Sequence, residues 1–189
     1  INGETKTCVT TFLIDDKIDT GAMILNSEID IEPTENAGQL HDRLMHLGST
    51  TVIETLKVIE NGNVSTTIQE DHADIKTAYK LNKENCKIDW TKSGNEINNL
   101  IRGLSPYPAS WCFLKDKNEE LNIKIYDAKL VTENHSYETG KLISSKKEIK
   151  IAVKDGFIQL FSLQFPGKKR MQAAEILNGI TFSDDAKMY

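Results

Sequence analysis

The sequence predicts an α/β portion followed by an all-β barrel of the OB type, and three observations carry that expectation. The first is a change of charge: residues 1–75 carry 14 acidic and 4 basic side chains, a net −10, whereas residues 76–189 carry 14 acidic and 19 basic, a net +5. The second is a short helix with a sharp exit. Ser93 and Glu96 form a capping-box pair, and Ile97, Leu100, Ile101 and Leu104 repeat at helical spacing. Gly103 is suited to a left-handed closing residue, and Pro106 and Pro108 forbid continuation, so Ser93–Trp111 reads as a junction. The third is a series of five strand-like runs beyond this helix, separated by turn residues.

Taken in order, Val9–Ile14 and Ala22–Ile31 read as strands joined through Asp15–Gly21, with Met23, Leu25, Ile29 and Ile31 alternating inward. Pro33 ends the second strand. Asn36 and Gln39 open a long amphipathic helix carrying Leu40, Leu44, Leu47, Thr51, Val52, Leu56 and Ile59, which Asn61-Gly62 stops. Val64–Ile68 is a candidate short strand. Residues 69–92, with little periodicity and scattered lysines, are expected to be a linker between residues 1–68 and 93–189. The barrel strands are then Ser110–Lys115, Leu121–Val131, Lys141–Ser144, Glu148–Val153 and Phe157–Phe165, followed by a helix over Met171–Leu177 and frayed terminal residues.

With 189 residues, 39% of them hydrophobic, the chain can bury a sizeable core. No apolar run approaches the roughly 18 residues of a membrane span, and no secretory signal pattern is read, so the expectation is a soluble, cytoplasmic protein without a membrane partner. Cys8, Cys86 and Cys112 are widely spaced and without histidines at zinc spacing, so three free thiols are expected, Cys8 and Cys112 buried in strands, and no metal.

The candidate chemistry is sparse. Asp19, on a turn between two buried strands, could serve as an acid-base or orienting group, and Gly21 would let the backbone approach a flat ligand, although Asp-Thr-Gly is more commonly just a turn. His41, His46, His72 and His135 occupy positions suited to capping, surface or packing roles. Lys168, Lys169 and Arg170 share one turn, and Lys146, Lys147 and Lys150 form a second patch; both sets suit phosphate contacts, and both could be solvated surface, with Arg170 paired to Glu175. Trp90, Tyr107 and Trp111 could stack on bases, but their place at the junction favours packing between domains.

The ordered set Asn2-Gly3-Glu4-Thr5, Ile18-Asp19-Thr20-Gly21, Leu40-His41-Asp42, Ile88-Asp89-Trp90, Leu100–Pro108, Gly167–Met171 and Leu177-Asn178-Gly179 resembles the methionyl-tRNA formyltransferase family along essentially the whole chain. The resemblance implies a Rossmann-like α/β catalytic domain, a linker and an OB-type barrel that helps hold tRNA. It implies formyl transfer from 10-formyltetrahydrofolate to the amino group of initiator methionyl-tRNA, without a metal and by a monomer with no obligate protein partner. On this likeness Asp19 orients and charge-stabilises a histidine from an upstream strand, while Asp16, Ile18, Thr20 and Gly21 line the folate pocket. Arg102, Lys146, Lys147, Lys168, Lys169 and Arg170 contact the tRNA. The family's upstream asparagine and histidine are absent from this sequence, so the chain reads as a carboxy-terminal portion without turnover by itself. A formyltransferase acting on an amino sugar nucleotide is the nearest rival, and a non-catalytic RNA-binding module is the other reading.

Overall fold

The computed structural model describes residues 1–17, 20–69 and 76–189. They form two compact units: Glu4–Glu35 with Gln39–Lys80, and Leu81–Tyr189 with Ile1–Gly3 and Asn36–Gly38. Among the described residues no helix is long and apolar enough to cross a membrane.

The first unit is a hairpin and a helix. β1 (Lys6–Phe12) and β2 (Met23–Asp30) pair antiparallel from Lys6↔Asp30 to Thr11↔Leu25, with a register shift between Thr11 and Phe12. α1 (Ala37–Glu60) lies on the hairpin through hydroxyls. The Thr51 and Ser27 hydroxyls lie 2.9 Å apart, and the Thr55 and Thr11 hydroxyls meet at 2.8 Å. Thr51 and Thr55 are buried, and each also donates to the carbonyl four residues earlier, so no hydroxyl of this seam lacks a partner.

The long helix departs from expectation in one respect. Val52, Leu56 and Ile59, assigned to the buried stripe, are exposed, as are Met45 and Ile53. The helical rotation of about 100° per residue sets Val52, Leu56 and Ile59 roughly a quarter-turn from the Thr51–Thr55 seam, so α1 carries two apolar stripes and only one faces the hairpin. The candidate strand at Val64–Ile68 reduces to a single bridge, Met23↔Thr67, with N–H to O distances of 2.8 and 2.9 Å. Cys8 is exposed on β1, because the side of this strand on which it stands is not covered.

The second unit begins earlier than the expected boundary. Within the stretch read as a linker, Cys86, Ile88 and Trp90 are buried, and Lys87 bridges to Trp111. α2 (Gly94–Leu104) starts at Ser93, whose hydroxyl accepts from Glu96 N–H while the Glu96 carboxylate accepts from Ser93 N–H, the predicted capping box. The helix does not close at Gly103, which remains helical; Ile1 lies against it, and an added Cβ would stand 2.8 Å from the Ile1 nitrogen.

The strands are β3 (Ser110–Asp116), β4 (Glu119–Val131), β5 (Leu142–Ser144), β6 (Ile149–Val153), β7 (Gly156–Gln164), β8 (Met171–Gln172) and β9 (Lys187–Met188), with α3 (Ala173–Leu177) after β8. They form a seven-stranded antiparallel sheet in the order β5-β6-β7-β4-β3-β9, with β8 also on β7. Its two ends meet: Lys141 bridges Lys187, Leu142 N–H donates to Ala186 O at 2.9 Å, and Met188 N–H donates to Gly140 O at 2.8 Å. The result is a partly closed antiparallel barrel. The terminal residues are therefore ordered rather than frayed, with Ala186 and Met188 buried, and the helix expected from Met171 starts two residues late because Met171 and Gln172 pair with β7.

The inward positions of the strands, among them Cys112, Leu114, Ile123, Ile125, Ile151, Ile158 and Leu160, make one core with Ile97 and Ile101 of α2 and with Ile88 and Trp90. α2 is tied to this core by Gly94 N–H donating to the Asp155 carboxylate at 2.8 Å. Burial pushes the Cys112 thiol up to about 12 and raises that of Cys86.

Two outcomes test this architecture. Ser93→Ala, which removes the α2 cap, is expected to cost about 1 kcal/mol in urea denaturation. With an aromatic disulfide reagent at pH 8, Cys8 is expected to react at once, and Cys112 only on unfolding, because a buried thiol with a raised pKa supplies almost no thiolate.

Candidate functional site

The loop joining β1 to β2 is organised by a residue that sequence reasoning passed over. The Asp15 carboxylate accepts from Lys17 N–H at 2.9 Å, and the Thr20 hydroxyl lies 2.8 and 3.0 Å from its two oxygens. Aspartate at the head of a polar turn commonly bonds backbone two residues on, so Asp15-Asp16-Lys17 held the signal. Leu13 N–H donates to Ala22 O at 3.0 Å and closes the loop at its base. The Gln69 amide donates to Gly21 O at 2.8 Å.

The loop leaves Asp16 exposed and buries Gly21. Gly21 has an internal reason to be glycine: a Cβ built there would lie 1.5 Å from Leu13 O. Of the residues assigned to this site from sequence, the structure thus brings Asp16, Thr20 and Gly21 onto one loop; Ile18 and Asp19 lie outside the described residues.

The basic residues gather by strand register. Lys146 and Lys147 stand on the β5–β6 turn, where Ser145 Oγ accepts from the N–H groups of Lys147 and Glu148 at 3.1 and 3.2 Å. Lys168 and Lys169 are exposed on the β7–β8 turn, shaped by Gly167 at φ +68° and by the Gln164 amide donating to Lys168 O at 2.8 Å. The pairings Ile149↔Leu160 and Ser162↔Gln172 put both turns at the Gln164 end of β7, and Lys124↔Gln164 adds a further lysine from β4.

Arg170 is not paired with Glu175, whose carboxylate instead accepts from Gln172 N–H at 2.8 Å. Arg170 Nε donates to Ser162 Oγ at 2.6 Å, and its guanidinium carbon lies 4.7 Å from the centre of the Tyr126 ring. Burial raises the neighbouring Asp127 carboxyl, and Arg170 opposes that rise. Arg102 is on a different element, α2, where Nε donates to Asn99 Oδ1 at 2.8 Å.

The other candidates divide clearly. His135 is structural: its Nε2–H is shared between Val153 O and Gly156 O at 2.9 and 2.8 Å, and Nδ1 accepts from Tyr137 N–H. His41 and His46 are exposed, while His72 lies outside the described residues. Among the described residues no group of three or more His, Cys, Asp or Glu could hold a metal ion. Trp90 belongs to the core of the second unit, Tyr107 is 88% exposed, and Trp111 is half-buried on β3.

Comparison with known proteins agrees with this two-part organisation. Residues 80–181 match the model of the formyl transferase C-terminal domain, and residues 1–56 match that of formyl transferase. The chain belongs to the formyl transferase family. It is 86% identical, over all 189 residues, to a protein of Flavobacterium johnsoniae named methionyl-tRNA formyltransferase, of which it covers 60%. The chain thus spans 60% of the length of that curated relative.

Two solved structures share the fold. HypX from Aquifex aeolicus in complex with tetrahydrofolic acid has a TM-score of 0.67 at 16% identity, covering 96% of this chain and 32% of that one. An N-formyltransferase from Helicobacter canadensis, in complex with folinic acid and dTDP-3-aminofucose, has a TM-score of 0.62 at 22% identity, covering 89% of this chain and 57% of that one.

For this family member the closed loop base is directly testable. Gly21→Ala is expected to destabilise the first unit by about 3 kcal/mol or more, because the new methyl and the Leu13 carbonyl cannot occupy one space. Hydrogen exchange should show it as lost protection at the Leu13 and Thr11–Leu25 amides.

Proposed function

We propose that this chain is part of an enzyme that transfers a formyl group from 10-formyltetrahydrofolate to the amino group of methionine on initiator tRNA. The observation that carries the proposal is the 86% identity, without interruption across both units, to a protein named methionyl-tRNA formyltransferase. In this reading the first unit is a portion of a Rossmann-like catalytic domain extending to Ile68, and the second, from Leu81, is an OB-type barrel that grips the RNA. The partly closed sheet and its short helices support the barrel assignment.

The chemistry asks for a base to take a proton from the attacking amine and for charge and hydrogen-bond donors around the reacting carbonyl. The folate donor supplies an activated formyl carbon. Asp19 is the residue we assign to orienting and charge-stabilising a histidine that performs the proton transfer. The described residues on either side of it, Asp15 bonded to Lys17 N–H and Leu13 bonded to Ala22, support the assignment, since an orienting group needs fixed surroundings. Asp16, Thr20 and Gly21 belong to the same loop and, with Ile18, are assigned to the folate pocket; the exposed Asp16 carboxylate can accept from ring N–H groups.

The barrel's part is positional. Lys146, Lys147, Lys168, Lys169 and Arg170, with Arg102 on α2, are assigned to phosphate contacts. Such contacts fix the register of a nucleic acid without reading its bases.

The test uses a protein of the relatives' full length. Asp19→Asn keeps shape and removes charge, and is expected to lower kcat by about 10²–10⁴-fold with an unchanged melting temperature. Lys168→Glu with Lys169→Glu is expected to raise the KM for methionyl-tRNA about tenfold and to leave kcat nearly as it was. Formylation of an amino sugar nucleotide in place of charged initiator tRNA would overturn the proposal.

A further inference from the structure

The outward side of β3 has a composition unlike the rest of the barrel. Cys112 and Leu114 point inward, so Trp111 and Phe113 stand on the outer face. Their ring centres are 5.3 Å apart in an edge-to-face arrangement. Tyr189, whose backbone exchanges both hydrogen bonds with Phe113 at 2.9 Å, extends the row, its ring centre 5.8 Å from that of Phe113.

Cations lie along the row. Lys87 Nζ is 5.7 Å from the centre of Trp111, 5.1 Å from Phe113 and 5.9 Å from Tyr189, and Lys83 Nζ is 5.3 Å from Trp111. Among the described residues none of Lys83, Lys87 and Lys124 is in an ion pair. The Trp111 indole is held in place by its Nε1–H donating to Lys83 O at 2.7 Å. Beside it opens a cavity of about 390 Å³ whose lining includes Asn82, Lys83, Pro108, Trp111, Asn122 and Lys124.

We propose that this face is a binding site for an unpaired nucleotide stretch of RNA, with a base stacked on Trp111 and its flanking phosphates taken by Lys83, Lys87 and Lys124. The inference rests on the reading of the acceptor as an RNA and deepens it. An aromatic ring fixed in orientation stacks on any base, and the lysine ammoniums that stand over the ring supply, once a base displaces them, the charge that a phosphate requires. The amides of Asn82 and Asn122 can both donate to and accept from a base edge. A cavity of this size suits a ligand of nucleotide dimensions. A paired base hides both its faces in the duplex, so the site selects single strands.

Strand register also joins this face to the basic turns. Trp111 lies opposite Lys124, Lys124 lies opposite Gln164, and the Gln164 side chain holds the Lys168 carbonyl. A strand of RNA laid across β3 and β4 therefore runs from a stacking platform to the exposed lysines of the β7–β8 turn without leaving the sheet.

The experiment titrates the 189-residue chain with a six-nucleotide oligouridylate and, separately, with a twelve-base-pair RNA duplex, reading tryptophan emission and the salt dependence of binding. The single strand is expected to quench the half-buried Trp111 while the buried Trp90 contributes a constant background. Trp111→Leu is expected to weaken single-strand binding about tenfold and to leave duplex binding within twofold. Lys124→Gln, which disturbs no core residue, is expected to reduce the salt slope by about one.

Unchanged single-strand affinity in both variants, or equal losses for strand and duplex, overturns the proposal; should Trp111→Leu fail to fold, Lys124→Gln decides alone. Formylation of methionyl-tRNA by the full-length enzyme, measured in parallel, separates the two readings. Formylation without single-strand binding here sinks only this site, whereas single-strand binding with a sugar as acceptor sinks only the acceptor assignment.

Discussion

Two backbone hydrogen bonds, Leu142 N–H to Ala186 O and Met188 N–H to Gly140 O, join the first and last strands of the seven-stranded sheet, and the second unit depends on that closure. An open sheet of this order would leave β5 and β9 with unpaired edges and would let water reach the isoleucine-rich interior. Closure satisfies those groups and gives Cys112, Leu114 and Met188 a dry environment, which is the physical cause of the raised Cys112 pKa. It also forces the alternate residues of β3 outward. The aromatic row of Trp111, Phe113 and Tyr189 is thus a product of the same alternation that builds the core.

What the sequence made legible was local. The Ser93–Glu96 capping box is readable because both partners lie within one turn, and β3, β4, β6 and β7 are readable because their apolar residues recur at strand spacing over five or more positions. β9 was not readable, since a two-residue strand has no periodicity and its partner lies more than seventy positions away on β3. Gly103 carried a sound local signal for helix closure, but it stays helical, and its missing side chain leaves room for Ile1 instead. At the candidate site the turn itself was visible, whereas the hydrogen-bonding work of Asp15 was not, because two adjacent aspartates are equivalent on paper and only the chain's path distinguishes them.

The same limit explains α1. Its sequence offers two apolar stripes and a scattering of hydroxyls, and the hairpin takes the stripe containing Thr51 and Thr55 because Thr11 and Ser27 present hydroxyls to match. Periodicity announces an amphipathic helix without saying which of two stripes meets a given neighbour. The hydroxyl seam has a cost in cohesion, since such bonds contribute about 1 kcal/mol each where a dry methyl packing would contribute through area.

The cations at the Gln164 end of β7 are unlike one another mechanically. Arg170 is clamped by the Ser162 hydroxyl and rests on the Tyr126 ring, while Lys168 and Lys169 extend from a turn kinked at Gly167. An anion arriving there meets one charge with a fixed address and two on long tethers. The stiff one presents its charge at one position; the loose ones sweep theirs over many. Exchanging the arginine for a third lysine would conserve the total charge yet turn a geometric ruler into a diffuse cloud.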